Sequence, residues 1–425
     1  MKSNLKLKDL TLKIGSGATP RGGKDTYLTE GSISLIRSQN IYNHSFTING
    51  LAFISEEQAQ KLNNVTLQEN DVLLNLTGDS VARCCIVPKH LLPARVNQHV
   101  AIIRCDSQKL DAHYLLAVLT SPMMQQYLLS IAQTGGTRAA LTKGMIENLD
   151  IPYVSIYNQK FIGNVLNMIN SKIEINQSII SNFEQLAQTL FKRWFIDFEF
   201  PNKNGEPYQS SGGKMEESEL GLIPEGWEIK SLLDIMDYQG GSQPPAKEFI
   251  DSYKEGYVRL VQIRDYDTDK HLTFIPDTHK LKKCSKKDIM IARYGAALGR
   301  ILFGLNGAYN VALAKVLPHS IHYQEYIRCY LNTKEFYEKI NNMGGRSAQS
   351  GFNKNDIKSF QFSFPKDEEI VKLFNDFGSL ITELILEKRE EINKLESIRE
   401  AILPKLISGE IEIPLESGEL EHVQL

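Results

Sequence analysis

The chain of 425 residues has few cysteines and no long apolar run, which argues against a disulfide-rich secreted protein and against a membrane protein. Its five cysteines include no CxxC pair, which indicates a reducing compartment and no zinc knuckle. No apolar run approaches the ~20 residues needed to cross a membrane. The opening residues MKSNLKLKDL lack the apolar core of a signal peptide. We therefore expect a cytoplasmic protein with no membrane contact and no bound metal.

Sequence signatures of catalysis are also missing. The chain has no GxxxxGK[ST] motif for ATP, no Asn-Pro-Pro-Tyr motif for methyl transfer and no nuclease-type cluster of carboxylates with lysine. The loop TGGTRAALTKG, from Thr134, suggests a phosphate-binding loop at first sight. However, its lysine, Lys143, follows the second glycine, Gly136, by seven residues. We expect a protein that is not an enzyme and that holds no cofactor of its own.

The net charge of −3 gives no general affinity for nucleic acid, but the charge is unevenly distributed. Residues 1–150 carry 15 basic and 12 acidic side chains, and residues 225–365 carry 20 and 16. Residues 151–224 and 366–425 are acidic, with 6 against 8 and 7 against 15. Two mildly basic blocks thus alternate with two acidic segments, so any contact with phosphates requires local clustering or a partner.

The chain repeats itself with a period of about 200 residues. Five segments recur in the same order, separated by between 209 and 224 residues, as loop insertions after a tandem duplication predict. These are IGSGATP with YQGGSQP, DVLLNLTGDSVAR with DIMIARYGAALGR, NQHVAII with NVALAKV, the loop from Thr134 with GGRSAQSGFNKND, and LFKRWF with ILPKLI.

Each copy consists of a block of about 140 residues followed by a long helix. The block mixes short β-branched runs such as HVAIIR with helical stretches such as DAHYLLAVLTSPMMQQYLLSIA, which predicts a mixed α and β fold. The helix shows apolar residues in 4-3 steps, the spacing of a coiled-coil seam. In the first copy the seam is Ile162, Leu166, Ile169, Ile173, Asn176, Ile180, Phe183, Ala187, Leu190 and Trp194.

The second seam lies 212 residues later and is interrupted by Gly378 and Arg399. Both seams carry a polar residue at the same middle step, Asn176 and Lys388. If the two helices pair antiparallel, these residues form one polar layer that sets the register; alternatively, each reaches solvent on its own. A rod of about 40 residues is roughly 60 Å long, so such a pair would hold two blocks at a fixed distance about a pseudo-twofold axis.

Several segments in this order resemble the specificity subunits of type I restriction–modification systems. They are LAQTLFKRWFIDFEFP at the end of the first helix, GLIPEGWEI at the start of the second block, the two glycine loops, and LESIREAILPKLISGEI at the end of the second helix. The resemblance covers nearly the whole chain. It implies two target recognition domains, residues 1–154 and 225–366, and two conserved spacer helices, residues 155–198 and 367–408. Residues 199–224 are then a linker and residues 409–425 an acidic tail.

The resemblance also implies the function and the partners. Each recognition domain reads one half of a split, asymmetric sequence of double-stranded DNA, and the helices set the gap and dock two modification (methyltransferase) subunits. Restriction subunits join that assembly. S-adenosylmethionine, ATP and Mg²⁺ are expected on the partner subunits only. The alternative hypothesis is a two-headed coiled-coil scaffold without DNA sequence readout. Exposed apolar patches on the blocks would distinguish such a scaffold from a DNA-binding protein.

The glycine loops are candidates for phosphate contacts, or else tight turns with solvated cations. The residues concerned are Gly135, Gly136, Arg138 and Lys143 in the first copy and Gly344, Gly345, Arg346 and Lys354 in the second.

Candidates for base contacts are the Arg, Gln and Asn side chains that form bidentate hydrogen bonds with base edges. They are Arg37, Gln39, Asn40, Arg83, Arg259, Gln262, Arg264, Arg293, Arg300 and Gln349. Surface ion pairing is the alternative role for each. Arg83 and Arg300 occupy matched places in the two copies, which favours a backbone contact or a role in the fold, because the two domains should read different sequences.

Overall fold

The computed structural model describes residues 4–133, 139–269, 271–343 and 351–414. Contacts divide the chain into two compact units. Unit 1 comprises residues 1–176 and 391–425, and unit 2 comprises residues 177–390. Both units contain strands and helices, which confirms the predicted mixed α and β class.

Unit 1 is built around an antiparallel four-stranded sheet in the order β2-β8-β5-β6, next to a three-stranded sheet in the order β4-β3-β7. A further pair, β1 with β9, joins the two ends of the block. The strands are β1 (Asn4–Lys6), β2 (Thr11–Ser16), β3 (Ile33–Ile36), β4 (Ala52–Ile54), β5 (Val72–Asn75), β6 (Cys84–Ile86), β7 (Ala94–Val96), β8 (Val100–Cys105) and β9 (Asp150–Pro152). The helices are α1 (Glu56–Lys61), α2 (Ala112–Thr120), α3 (Pro122–Ala132), α4 (Lys143–Glu147) and the long α5 (Ile156–Phe195).

Unit 2 has a four-stranded sheet in the order β13-β20-β17-β18 and a second one in the order β15-β14-β19-β16. The strands are β10 (Met215–Ser218), β11 (Gly221–Pro224), β12 (Trp227–Ser231), β13 (Met236–Gly240), β14 (Tyr257–Val261), β15 (Phe274–Pro276), β16 (Lys283–Cys284), β17 (Met290–Ala292), β18 (Ile301–Leu302), β19 (Gly307–Tyr309), β20 (Leu313–Pro318) and β21 (Gln361–Pro365). The helices are α6 (Leu232–Ile235), α7 (Gln324–Leu331), α8 (Lys334–Asn342), α9 (Lys354–Lys358) and the long α10 (Glu369–Ser408). Both long helices belong to both units, because the unit boundaries fall within α5, after residue 176, and within α10, after residue 390.

The pairing pattern of unit 1 recurs in unit 2. The parallel pair β3 and β7 has its counterpart in β14 and β19. The closing pair β1 and β9 has its counterpart in β12 and β21. The two four-stranded sheets follow the same order along the chain.

Strand β8 explains why the apolar runs are continuous rather than alternating. Ala101 and Ile103 point into the core shared with α2 and α3, whereas Val100 and Ile102 point into the core shared with the three-stranded sheet. All four are at most 1% exposed. Successive side chains of a strand face opposite sides, so a strand covered on both faces needs apolar residues at every position.

Helices α2 and α3 start at side-chain caps, Asp111 and Ser121, each of which accepts a backbone N–H from the first turn of its helix. The two helices are bent by 70°. In the part of the chain that the structure describes, no single helix is long and apolar enough to cross a membrane, and only this bent pair passes such a test when both are counted together.

Segments of both long helices complete the core of each unit. In unit 1, Ile162 and Leu166 of α5 pack with Leu403 and Leu406 of α10 in the core that contains α2. In unit 2, the aromatic rings of α5 do the same: the ring centre of Phe195 lies 4.7 Å from that of Tyr326 and 5.1 Å from that of Phe374. The 4-3 periodicity thus reflects packing on the blocks as well as packing between helices.

Residues 199–224, which their composition predicts to be a linker, contain the hairpin β10–β11. Phe200 stacks between Tyr208 and Trp227, with ring centres 4.6 and 5.3 Å apart. Proline, glycine and serine cluster in this segment and obscure the packing of Phe200 and Tyr208, whereas Trp227 follows it in GLIPEGWEI at the start of the second block.

Gly378, which interrupts the second seam, permits a close approach between α7 and α10. A Cβ at this position would lie 2.6 Å from Cβ of Glu325. Glu325 is buried and accepts hydrogen bonds from Nε of Arg328 and Oγ1 of Thr382, both at 2.9 Å. The helix-breaking residue therefore seats a buried polar network inside unit 2.

Arg399, the second interruption, links the helices to the block of unit 1. Its Nη1 donates to Oδ1 of Asn170 at 2.9 Å, and Nδ2 of Asn170 lies 3.2 Å from Nδ1 of His44. Burial, together with the positive charge of Arg399, lowers the pKa of His44 to about 3. A neutral ring is also what the geometry needs, because Nδ1 accepts the amide proton.

The two polar seam residues fall in different units. Asn176 is fully buried in unit 1, and neither atom of its amide has a hydrogen-bond partner among the described residues. Nζ of Lys388 lies 3.8 Å from its neighbour Glu387. Their common polar layer stays a prediction.

We predict that Gly378→Ala lowers the urea midpoint of unfolding. Alanine favours a helix by up to ~1 kcal/mol over glycine, but the clash with Glu325 costs about 1–3 kcal/mol. Gly144→Ala is the matched control, since no described atom outside its own helix and chain neighbours lies within 4 Å of a Cβ there. A Gly378→Ala protein that is stabilised as much as the control would contradict this packing.

We predict that His44 adds a pH dependence to stability. Its pKa in the folded protein lies below the ~6.5 of an unfolded histidine, so the unfolded state takes up a proton first and stability falls as the pH drops below that value. The slope is at most ~1.4 kcal/mol per pH unit. Asparagine tolerates the left-handed backbone of His44, whose φ is 67°. His44→Asn should flatten the dependence of unfolding free energy on pH between about pH 3 and 6.5; unchanged slopes would refute this.

Candidate nucleic-acid interface

Loops gather at one edge of the sheets in unit 1. Strands β2 and β5 end beside the start of β8, where Ser16 faces Ala101 and Asn75 faces Val100. The N–H of Asn97 donates to the carbonyl of Ile36 at 3.0 Å, which places the ends of β3 and β7 at the same edge. We call this edge loop edge 1 and define it by residues 17–32, 37–51, 76–83, 97–99 and 139–142.

Unit 2 gathers the matching loops in the same way. The N–H of Gly241 donates to the carbonyl of Leu313 at 3.0 Å, and the N–H of Asn310 donates to the carbonyl of Val261 at 3.1 Å. The N–H of Arg293 donates to the carbonyl of Ala312 at 2.9 Å. We call this edge loop edge 2 and define it by residues 241–256, 262–269, 271–273, 293–300, 310–312 and 351–353.

One glycine in each unit allows a loop of the edge to pack directly against the backbone of the neighbouring loop. A Cβ at Gly17 would lie 2.2 Å from the carbonyl oxygen of Val96, and a Cβ at Gly241 would lie 2.1 Å from that of Asn310. Any side chain would push the loop away from the sheet. This contact explains why IGSGATP and YQGGSQP recur in the sequence.

The predicted residues after β3 lie on loop edge 1, where one of them holds the loop and the other two are accessible to solvent. Asn40 is buried: its Oδ1 accepts the N–H of Arg37 at 3.1 Å, and its Nδ2 donates to the carbonyls of Thr47 and Asn49. Both amide hydrogens are thus used to hold the loop, and Asn40 has no exposed donor for a base. Gln39 is exposed and Arg37 is half-buried, so these two face outward.

The turn after β14 has the same form on loop edge 2. Asp265 is buried and accepts the N–H of Gln262 at 3.0 Å, as Asn40 accepts that of Arg37. Burial raises the pKa of Asp265. Arg264 is exposed, and Gln262 is half-buried.

Carboxylates neutralise most of the predicted cations of unit 2. Nη2 of Arg259 lies 2.7 Å from Asp269, and Nη1 of Arg300 lies 2.8 Å from Asp267, with a second bond from Nη2. The hydrogen bonds from Arg300 lower the pKa of Asp267. These arginines are therefore held in place but carry less free charge than the sequence suggests.

The two glycine-loop lysines that the structure describes are also paired. Lys354 pairs with Asp237 at 2.9 Å, which lowers the pKa of that carboxyl group. Lys143 lies 3.4 Å from Glu147 of the same short helix.

Three predicted arginines stack on aromatic rings and have no carboxylate within 4 Å among the described residues. The guanidinium carbon of Arg37 lies 5.3 Å from the ring centre of Tyr27, and that of Arg83 lies 4.9 Å from Tyr42. Arg293 lies 5.1 Å from Tyr294 and 5.9 Å from Phe352. Stacking fixes the guanidinium plane without neutralising its charge, which suits contact with an anion or a base.

Seven of the predicted site residues lie outside the described residues. They are Gly135, Gly136, Arg138, Gly344, Gly345, Arg346 and Gln349. The described ends of these segments, Ala139 and Gly351, lie on the two loop edges: the N–H of Gly78 donates to Ala139, and a Cβ at Gly351 would touch the carbonyl of Arg293. The assignment of all the candidates to DNA contacts stays a prediction.

The sequence did not indicate the aromatic rings that contact the arginines, nor the turn between β7 and β8. Gln98 and His99 are exposed at the tip between β7 and β8, and Val311 is 46% exposed at the matching tip. Their position inside the repeat NQHVAII and NVALAKV was the available signal, since the two copies differ there. Among the described residues, no three His, Cys, Asp or Glu side chains come together as metal ligands.

The geometry therefore defines a chain with two similar loop edges on one repeated framework. A sequence model described as the type I restriction modification DNA specificity domain matches residues 3–185 and again residues 224–394. The chain belongs to the type I restriction–modification DNA specificity family, as its motifs predicted.

Similar proteins agree in sequence and fold. The chain is 25% identical over 421 residues to the specificity subunit of the type I restriction enzyme MjaIX of Methanocaldococcus jannaschii, covering 96% of this chain and 93% of that protein. It is 21% identical to the HindI specificity subunit of Haemophilus influenzae, covering 81% and 87%. The crystal structure of a type I specificity subunit from M. genitalium superposes with a TM-score of 0.59 at 14% identity, covering 98% and 96%, which indicates a shared fold.

We predict that Asn40→Ala destabilises the protein by about 1–3 kcal/mol, because it removes the partner of one half-buried N–H and of two carbonyls. Gln39→Ala, in the same turn but exposed, should change the free energy of unfolding by less than about 0.5 kcal/mol. Urea denaturation of both variants measures the difference. Equal effects would show that Asn40 does not hold the loop.

Proposed function

We propose that this chain is the DNA sequence-specificity subunit of a type I restriction–modification complex and that each unit reads one half of a split, asymmetric target. The observation that carries the proposal is the repetition of the loop edge. The same strand ends and the same glycine contact support both edges, while the outward side chains differ. A framework used twice with different tips suits a protein that reads two different sequences.

The loop edges also offer suitable chemistry. Exposed Arg and Gln side chains provide the bidentate donors that discriminate base edges in the major groove. Aromatic rings orient Arg37, Arg83 and Arg293 without neutralising them. The modest basic excess of the blocks leaves part of the affinity to partner subunits.

The two blocks are proposed to be copies related by a pseudo-twofold axis, with α5 and α10 as an antiparallel coiled coil. Within unit 1, Asn170 contacts Arg399 and Lys172 contacts Glu391. Within unit 2, Glu184 contacts Arg389, and the rings of Phe191 and Phe374 meet. In both units the residue numbers of one helix rise while those of the other fall, which supports the antiparallel direction.

The long helices offer surfaces for two equal partners. Met168 and Leu380, which are 212 residues apart, are 64% and 56% exposed. Leu186 and Ile398, also 212 apart, are 52% and 48% exposed. Apolar side chains exposed at equivalent places in both repeats suit two copies of one modification subunit.

Catalysis is proposed to belong to the partners. Modification subunits would bring S-adenosylmethionine, and restriction subunits would bring ATP and Mg²⁺, while this chain supplies positioning without chemistry. Such an assembly acts on cellular DNA, which suits a cytoplasmic location without membrane contact.

Mapping of methylated adenines in cells that express this chain with the modification subunit of its own system tests the function. The proposal expects a split motif with a fixed gap. A stable complex that methylates no split motif would instead favour the scaffold without DNA readout.

We predict that Arg83→Ala weakens DNA binding of the complex for all sequences alike. Its counterpart in unit 2 is also an arginine, so the contact should go to the backbone. Loss of one phosphate contact lowers the slope of log affinity against log salt by about 0.9. Lys109→Gln, at the opposite end of β8, is the control. A loss confined to one half of the target would contradict a backbone contact.

A further inference from the structure

Two outward positions of the loop edges are structurally equivalent in the two units. The N–H of Asn97 donates to the carbonyl of Ile36 in unit 1. In the same way, the N–H of Asn310 donates to the carbonyl of Val261 in unit 2. The next residues, Arg37 and Gln262, have the same backbone angles, with φ of −124° and ψ of 162° in both. Each begins a turn of 3-10 helix, so Arg37 matches Gln262.

Counting along these turns gives a second equivalent pair, Gln39 and Arg264. The fourth residue of each turn is the buried cap, Asn40 or Asp265, which accepts the N–H of the first position. The two units therefore carry the same two residue types at the same two places, but in opposite order.

In unit 1 the two side chains converge on one acceptor. Nη2 of Arg37 donates to the carbonyl oxygen of Gly50, and Nε2 of Gln39 donates to the same oxygen at 3.1 Å. The guanidinium also stacks on Tyr27. The contacts to Gly50 use one nitrogen of each side chain; Nε of Arg37 is buried, so the donors left to Arg37 are on Nη1 and Nη2.

In unit 2 the exchanged pair converges in the same manner. Nε2 of Gln262 donates to Oγ1 of Thr273 at 3.1 Å, and Nη2 of Arg264 reaches the same oxygen at 3.4 Å. Arg264 also donates to the carbonyl of His271 at 3.3 Å, and its Nε lies 3.7 Å from Oδ1 of Asp265, so Nη1 is the nitrogen left without a contact among the described residues. The two side chains are thus held side by side in each unit, at the edge that faces away from the core.

Side chains held in this way lose little freedom on binding, which raises the selectivity of each contact. Arginine matches the two acceptors of guanine, and glutamine matches the donor and acceptor of adenine. Exchanging the two side chains exchanges the bases that fit at these two places. The surrounding turn need not change, because in both units a buried cap side chain accepts the N–H of the first position.

We propose that these pairs, Arg37 with Gln39 and Gln262 with Arg264, are the specificity-determining elements of the two half-sites, with arginine reading guanine and glutamine reading adenine. The opposite order of the pair makes the two halves of the target differ. This inference rests on the proposed function and assigns the base contacts within it.

The test uses the full chain in complex with its modification subunit. In one variant the first pair is exchanged (R37Q/Q39R), and in another the second pair is exchanged (Q262R/R264Q). Each exchange should alter the methylated motif in its own half only, with the other half and the gap unchanged. In competition binding, preference for the parental half-site should fall about 5- to 150-fold, the value of one bidentate contact.

Three outcomes overturn the proposal. The parental motif is methylated at an undiminished rate by both variants, or both halves change together, or affinity falls equally for all sequences with a lower salt slope, as phosphate contacts predict. Lys109→Gln is the control and should behave as the parent. A parent complex that methylates no split motif would instead refute the proposed function.

Single exchanges separate readout from folding. Gln39 and Arg264 are exposed, so Gln39→Arg and Arg264→Gln leave the buried caps in place. Gln39→Arg should melt as the parent does, whereas Arg264→Gln also removes the cation 3.7 Å from Oδ1 of Asp265; both variants should lose preference at their own half-site. Parent-like melting with parental preference would overturn the assignment of these two residues.

Discussion

The structure depends on how the core of each unit is closed. A block alone does not bury its own sheet and helices; the long helices supply the missing apolar surface. Leu403 and Leu406 come from the far end of the chain to complete the core around α2. In unit 2 the aromatic residues of α5 and α10 do the same around Tyr326. Since burial of one such side chain contributes about 1.5–3 kcal/mol, each loop edge is held relative to its own helix segments.

That closure separates a constant framework from variable tips. Gly17 and Gly241 admit the loop, and Asn97 and Asn310 turn the chain between strands by accepting the N–H two residues on, both at 3.2 Å. A change in any of these removes a backbone contact. The exposed side chains at the tips do not make these particular contacts, so their chemistry can differ between the units at little cost in stability.

The repeat, the mixed fold and the long helices Ile156–Phe195 and Glu369–Ser408 follow from the sequence because they rest on local periodicity and on self-similarity. The roles of Gly378 and Arg399 do not, because Glu325 and Asn170 are distant in the chain. In isolation, both residues look like defects of a seam.

The loop edges were only partly predictable for a similar reason. Arg, Gln and Asn near strand ends were found from residue type, but which of them face outward depends on contacts across loops. For example, the side-chain amide of Asn40 donates to the carbonyls of Thr47 and Asn49 and therefore does not face outward. The acidic partner of Arg259 is 10 residues away in the chain and that of Arg300 is 33 residues away, so both pairs depend on the fold of the turn after β14.

We propose that the two loop edges read two parts of one target. This can be tested by measuring the affinity of the assembled complex for duplexes that carry both mapped halves, either half alone, or both halves with one base pair added to the gap. Each half alone should bind close to the non-specific level, and the longer gap should lower the affinity as much as loss of a half. Equal affinity for one half and for both would contradict it.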